Sequence, residues 1–451
     1  MDCELLPRAQ CRETMEQAQA EARAHGVKDV EVLMLAGAEA LTRFANNTIH
    51  QNVAERTRHV SVRCQENNRT ARATTNRTDA ESIRRATRQA IAILRVQQAD
   101  EKLPPMARPD KVVPVARWYS GTAGCAPMKR ALLVKEVIQL CEEAGLTVAG
   151  IVSTEETVEA LLNSEGVFCY HPETMATFSI TAMAADSSGW AKSSSTDLEK
   201  LDVAALAKRA AGKAVSSGNP RELAPGRYTV ILEPPAVLDL VGQIFGDFSG
   251  TALEDKRSFL TDRLGEKLFG ENITIRDDVF HPLQAGAPFD GEGVGRQGLS
   301  LVQSGVAGEV AWCRAAAARN GRQPTGHGFP LPNSIGEMPQ NLAIEGGGSS
   351  LDEMIRSTKR GILVTRLWYI REVDPYTKLM TGMTRDGTFL IEDGEVRGGL
   401  RNFRFNQSVV ELLGNVEMLG PALRTSGEET FDMVVPAMKV REFQFSEVTR
   451  F

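Results

Sequence analysis

The stretch Val30-Glu31-Val32-Leu33-Met34-Leu35 opens a series of strand-like segments that continues with Leu41 to Asn52, Arg58 to Cys64 and Thr70 to Thr75. Each alternates or runs apolar with β-branched residues, and Gly37 and Glu66-Asn67-Asn68 stand between them as turn formers. Before them, Arg8 to His25 is rich in Ala, Glu, Gln and Arg and stops at Gly26, the pattern of a helix with a glycine end. After them, Asp79 to Val96 places Ile83, Ala86, Ala90 and Leu94 on one helix face. Residues 1–98 therefore read as a small α/β unit.

The same style recurs after an interruption. Residues 99–127 collect Pro104, Pro105, Pro109, Pro114 and Gly121 and read as a linker laid over the surface. In residues 128–217, a helix from Lys129 to Ala144 ends at Gly145, strands span Thr147 to Ala184, and a helix from Asp197 to Ser216 ends at Gly218. Residues 218–451 look different, with short strands at Tyr228 to Leu232, Asn272 to Ile275, Leu299 to Val302, Leu342 to Ile344, Gly361 to Ile370, Thr388 to Ile391 and Val396 to Arg397. Apolar helical stretches lie at Val237 to Phe245 and Ser408 to Val416. The fold class that follows is α+β: two α/β units of helices and hairpins, then a large, mostly antiparallel β domain.

Across 451 residues, 42% hydrophobic and 24% charged content describes an ordinary folded protein. A net charge of -6 gives no electrostatic basis for holding phosphate backbones, so nucleic acid is not an expected partner. Met1 to Gln10 carries Asp2 and Glu4 without an apolar core, and no run of 18 apolar residues occurs. The expected location is the cytoplasm, away from membranes. The seven cysteines are scattered without a C-x-x-C spacing, which predicts neither a disulfide framework nor a cysteine-rich zinc site.

Two glycine motifs and the histidines carry less than they first suggest. Gly293-Val294-Gly295-Arg296-Gln297-Gly298 satisfies G-x-G-x-x-G, but Gly298 leads into Leu299-Ser300-Leu301-Val302-Gln303-Ser304-Gly305, a strand and turn where a dinucleotide loop would open a helix. Gly346-Gly347-Gly348-Ser349-Ser350 precedes a helix near Leu351 but lacks the lysine of a P-loop. None of the six histidines is followed by Glu, so no zincin motif exists in any register. G-x-S-x-G is absent as well.

Arg43-Phe44-Ala45-Asn46-Asn47-Thr48-Ile49-His50-Gln51-Asn52 closely resembles the N-terminal signature of the TldD/PmbA family. Lys359-Arg360-Gly361-Ile362-Leu363-Val364-Thr365-Arg366-Leu367-Trp368 is similar to that family's C-terminal strand, and Asp374-Pro375-Tyr376-Thr377, Gly387 to Val396, Gly414-Asn415 and Leu419-Gly420 follow in the expected order. The resemblance runs from about Glu16 to the C-terminus.

It implies a cytosolic two-subunit protease, of one TldD-type and one TldE (PmbA) type member, that degrades unfolded peptides or trims leader peptides. In the TldD-type member the resemblance implies zinc held by a His-Glu pair, a second His and a late cysteine. This chain departs from that pattern: Ala236 to Asp247 has neither the histidines nor the glutamate, and Val434 to Val440 offers no cysteine. Asp239 and Asp247 remain and read as caps or surface acids on an apolar helix. The expectation is a TldE/PmbA-like subunit with no catalytic residue, metal or cofactor of its own, with zinc in a TldD-type partner. The alternative is a metal-free homodimer that binds peptides without cutting them.

A protease accepting many peptides must hold them by backbone, which an exposed strand edge would allow. Candidate peptide-binding residues are Val364 in the strand Ile362 to Trp368, Arg360 and Arg366 beside it, and Gly346, Gly347 and Gly348 where backbones could approach closely. The same apolar strand also reads as a central one, paired on both sides.

Overall fold

The computed structural model describes residues 3–449. Its organising element is a long hairpin, β1 (Asp29–Ala45) and β2 (Thr48–Glu66), paired antiparallel from Asp29↔Gln65 to Ala45↔Thr48. The sequence pattern suggested three shorter strands here, with one running through residues 46 and 47. Those residues are the turn: Asn46 and Asn47 take φ of 49° and 58°, the left-handed conformation that asparagine tolerates and tight hairpins need. Gly37 is no turn. It lies in mid-strand opposite Thr57, where a Cβ would come within 3.0 Å of the Thr57 hydroxyl oxygen.

This hairpin belongs to a six-stranded sheet, ordered β3-β2-β1-β4-β5-β6, with β3 at Arg69–Thr75, β4 at Thr147–Asn163, β5 at Phe168–Met183 and β6 at Ser188–Ser195. Strands from both sides of residues 99–127 thus join one sheet, through the β1–β4 pairing. Four helices cover a single face. Helices Arg8–Ala24 and Ala80–Val96 bury Met15, Ala18, Ile83 and Leu94 against Val30, Val32, Val60 and Val62. Helices Pro127–Glu143 and Val203–Ser216 bury Val134, Val137, Leu206 and Ala210 against Phe44, Val148, Val152 and Phe178. Because side chains alternate across the pleat, odd-numbered residues of β1, β4 and β5, and of β2 beyond the bulge opposite Arg43 and Phe44, point to the other face.

The C-terminal part packs against that other face. Leu33, Leu161 and Cys169 meet Ala287 and Phe289, and beside them Glu31 accepts from Arg63 and Arg72 while Arg72 Nε reaches the Leu331 carbonyl oxygen at 2.7 Å. Burial opposes the Glu31 charge, but the two guanidinium groups hold its carboxyl below the usual range.

Within the C-terminal part, β7 (Gly226–Leu232) and strands Arg360–Asp374, Leu379–Glu392, Phe403–Ser408 and Met438–Val448 close a ring of hydrogen-bonded neighbours. A second sheet of short strands includes Ile275–Asp277, Leu299–Gln303 and Leu342–Ile344. Among the described strands of these two sheets, pairing is antiparallel except between Arg360–Asp374 and β7 and between Leu342–Ile344 and Met433–Val435. The short apolar helix Pro234–Val241 is enclosed in the main core with Val230, Ile362 and Val435. Among the described residues, no helix is long and apolar enough to cross a membrane.

Candidate functional site

The segment Ala236–Asp247, where the resemblance places a zinc motif, forms the end of the helix Pro234–Val241 and the 3-10 turn Gly242–Asp247. Its two acids are neither caps nor surface groups, as the sequence had suggested; both are buried. Asp239 Oδ1 accepts long hydrogen bonds from the backbone N–H groups of Glu428 and Glu429, and Oδ2 accepts one from Leu367, each at 3.4 Å. Burial pushes its carboxyl up to about 7, against the opposing pull of these N–H groups and Arg366. Asp247 is held by Lys378 Nζ at 2.6 Å and by the Phe259 N–H at 3.1 Å. Each acid is thus spent on its own partners, and among the described residues no group of three or more His, Cys, Asp or Glu side chains is placed to hold a metal ion. These donors do not fit a catalytic zinc, which takes about three convergent protein ligands.

The strand that was a candidate peptide edge has no free edge where it was expected. Gly361 to Val364 pairs with Leu379–Glu392 on one side and with β7 on the other, so Val364 is fully buried in a central position. The ring closes there because Ile362 and Val364 must be buried on the core face. Beyond Val364 the β7 side is open to strands but covered by the loop 426–431. Leu367 N–H meets Asp239, and Tyr369 N–H donates to Glu429 Oε1 at 2.7 Å. Arg366 is likewise committed, donating from Nε and Nη2 to Asp386 Oδ2 at 2.8 and 2.5 Å and stacking between Trp190 and Trp368. Arg360 is exposed at the strand's start. Gly346 and Gly347 do permit close backbone approach, but to the chain's own segment 419–422, with Gly347 N–H donating to the Gly420 carbonyl at 2.8 Å; Gly348 faces open space.

A different place gathers chemistry. Between the open face of the first sheet and the C-terminal part lies a cleft of about 590 Å³, lined by Leu35, Glu159, Glu173, Arg296, His327 and Phe431 among others. Leu35, Glu159 and His171 are register neighbours across β1, β4 and β5. Glu173 Oε2 accepts the Gly286 N–H at 2.6 Å, whereas Glu159 has no hydrogen-bond or ion-pair partner among the described residues. Burial raises the Glu159 carboxyl, with Arg296 and His171 opposing. Arg296 Nη2 donates to Gln340 Oε1 at 2.6 Å while its Nε and Nη1 find no acceptor. Deeper, His327 Nε2 lies 2.9 Å from Asp277 Oδ1 and Nδ1 lies 2.9 Å from the Thr325 hydroxyl. The order Thr325, His327, Asp277 is that of a nucleophilic triad. The Thr325 hydroxyl, however, is buried and bridges the N–H and carbonyl of Trp312, so the trio fastens a loop.

The family models agree with this architecture along most of the chain. Residues 30–94 match PmbA/TldA metallopeptidase domain 1, residues 129–217 the central domain and residues 225–447 the C-terminal domain. The chain belongs to the PmbA/TldD family. A Methanothermobacter thermautotrophicus protein named metalloprotease is 28% identical over 306 residues, 62% of this chain and 64% of that protein. The Escherichia coli O157:H7 metalloprotease PmbA is 25% identical over 235 residues, 51% of this chain and 49% of that one. The chain therefore matches about half to two thirds of the length of these relatives. TldE from Thermococcus kodakarensis superposes with a TM-score of 0.86 at 23% identity, covering 97% of this chain and all of that one, a likeness of fold.

Sequence reasoning missed the cleft of this PmbA/TldD chain. Arg296 sits in the glycine motif set aside because it leads into a strand and turn, and that motif's own use is close packing: a Cβ on Gly293, which has a φ of +80°, would strike Leu161 Cδ2 at 2.8 Å. One signal was available. In Glu155-Glu156-Thr157-Val158-Glu159 the period of two puts Glu155 and Glu159 on one sheet face, opposite to Val158.

Proposed function

We propose that this chain is the zinc-free, TldE/PmbA-like subunit of a cytoplasmic heterodimeric metallopeptidase, supplying chamber wall and substrate surface to a zinc-bearing TldD-type partner that cuts unfolded peptides or trims leader peptides. The observation that carries the reading is the fate of the segment Ala236–Asp247: its only two acids are buried and bonded to backbone N–H groups and to Lys378. Without a metal to activate water, such a segment has no route to a hydroxide nucleophile at neutral pH. Family membership and the TldE-like fold support the assignment of type. The cleft beside the open sheet face is the surface this subunit would offer to peptide. The test is to incubate unfolded peptides with the purified chain, with a His-Glu-bearing homologue from the same organism, and with the two mixed. Cleavage that requires the homologue and disappears with a chelator supports the reading; chelator-resistant cleavage by this chain refutes it.

A further inference from the structure

The sheet face left bare by the helices carries an unusual set of charges. Glu55 on β2, Glu39 on β1 and Glu155 on β4 lie directly opposite one another, and Glu159 follows on the same face of β4. None of the four has a hydrogen-bond or ion-pair partner among the described residues, although opposed like charges on neighbouring strands destabilise a sheet. Glu159 differs from the other three in its surroundings, because it is half-buried within the cleft, whereas Glu39, Glu55 and Glu155 are exposed and line a separate, smaller pocket with Arg56. In that half-buried position Arg296 and His171 act on it through space without a hydrogen bond or ion pair, so a cation in direct contact with it would be favoured.

The cleft also shows apolar surface where that counter-charge would enter. Leu35, its register neighbour, is 47% exposed, and Phe431 on the opposite wall is 38% exposed. An apolar wall leading to a lone carboxylate matches a long side chain with a hydrocarbon stem and a cationic head. Of the cleft's basic groups, Arg424 is paired with Asp432, His327 with Asp277 and Arg296 with Gln340, so the acids Glu159, Glu173 and Asp290 outnumber the remaining guanidinium of Arg296.

Resting on the reading of this chain as a peptide-holding subunit, we infer that the cleft is a subsite for a lysine-like side chain of an extended peptide. The stem lies along Leu35 and Phe431 and the cationic head on Glu159. Glu155, Glu39 and Glu55 continue the acidic track along the sheet and favour further basic residues. The substrate class is thereby narrowed from any unfolded peptide to those carrying positive charge.

The experiment is a binding titration of the full chain with short alanine–serine peptides blocked at both ends, bearing one central lysine, or norleucine as its uncharged counterpart. A third peptide, with norleucine and a free amino terminus, separates a side-chain cation from a terminal one. The lysine peptide should bind about tenfold to a hundredfold more tightly than either norleucine peptide, the worth of a hydrogen bond to a charged group. Glu159→Gln should abolish that preference while leaving the circular dichroism spectrum unchanged. Glu155→Gln should reduce it only slightly, in a salt-dependent way. Equal affinities, no binding of the lysine peptide, or a preference that survives Glu159→Gln in a folded variant would overturn the inference. Because this chain is titrated by itself, such a failure leaves its pairing with a zinc-bearing subunit untouched, and failed pairing leaves the titration standing.

Discussion

Arg366 and Asp386 form a buried ion pair across two neighbouring strands of the C-terminal ring, and the guanidinium is held between Trp190 of the first sheet and Trp368 of its own strand. Asp386 Oδ1 also accepts from the Ser188 hydroxyl at 2.6 Å, so one pair ties both halves of the molecule together. Replacing Arg366 by Met should destabilise the protein by about 3–5 kcal/mol, because Asp386 would remain buried without its partner. Urea unfolding followed by tryptophan fluorescence measures this. A loss under about 1 kcal/mol would show that the pair is not holding the halves together.

Lys378 should matter in the same way for Asp247. It reaches Asp247 at 2.6 Å and Glu372 at 2.8 Å, and burial would raise the Asp247 carboxyl further without it. Lys378→Met should cost roughly 3 kcal/mol, and the double change with Asp247→Asn should recover a large part of it. Added zinc should leave the unfolding midpoint of either variant unchanged.

Asp239 sets a pH dependence whose sign is fixed by its raised carboxyl. With about 7 in the folded state and 3.8 as the ordinary value, the folded chain binds the extra proton between those limits. Its contribution to stability therefore falls as pH rises from about 4 to about 7, and the penalty is fully present above that. Stability of the Asp239→Asn variant, measured across this range, should decline less steeply than that of the parent. Parallel curves would mean that Asp239 ionises normally.

Val364→Pro should yield no folded protein. The residue pairs with Thr388 on one side and Leu232 on the other, and its carbonyl accepts from the Glu233 N–H, so proline would break a central strand. Circular dichroism of the purified variant is sufficient to check it.

The behaviour of that strand shows what the sequence could and could not convey. Its apolar content marked Gly361 to Ile370 as a strand, and the observed strand is Arg360–Asp374. Nothing local distinguishes an edge from a centre, because the partners that decide it, β7 and Leu379–Glu392, lie far away in sequence. Helices with capping signals were legible: Asp79 caps Ala80–Val96 by accepting from the Ser82 N–H, and Ser350 and Glu353 form a capping box on Leu351–Arg356. Short strands such as Leu423–Thr425 and Met433–Val435 exist through pairing and carry too few residues for a period to show. The cleft was hidden for a related reason. Glu159, Arg296 and His327 come from three distant segments; the Gln297 N–H to Thr325 carbonyl bond joins the last two, and the packing of Phe289 against Leu33 and Leu161 sets them against the sheet that carries Glu159.

The central claim, that this chain completes a chamber whose chemistry belongs to another subunit, is tested most directly by size-exclusion chromatography with light scattering and zinc analysis. The sample is this chain mixed with a His-Glu-bearing homologue from the same organism. The account predicts a stoichiometric heterodimer that cleaves unfolded peptide and holds zinc only through the homologue, while the separate chain retains well under one zinc after dialysis. A tightly held zinc in the separate chain, or two chains that elute apart with the homologue fully active by itself, would contradict it.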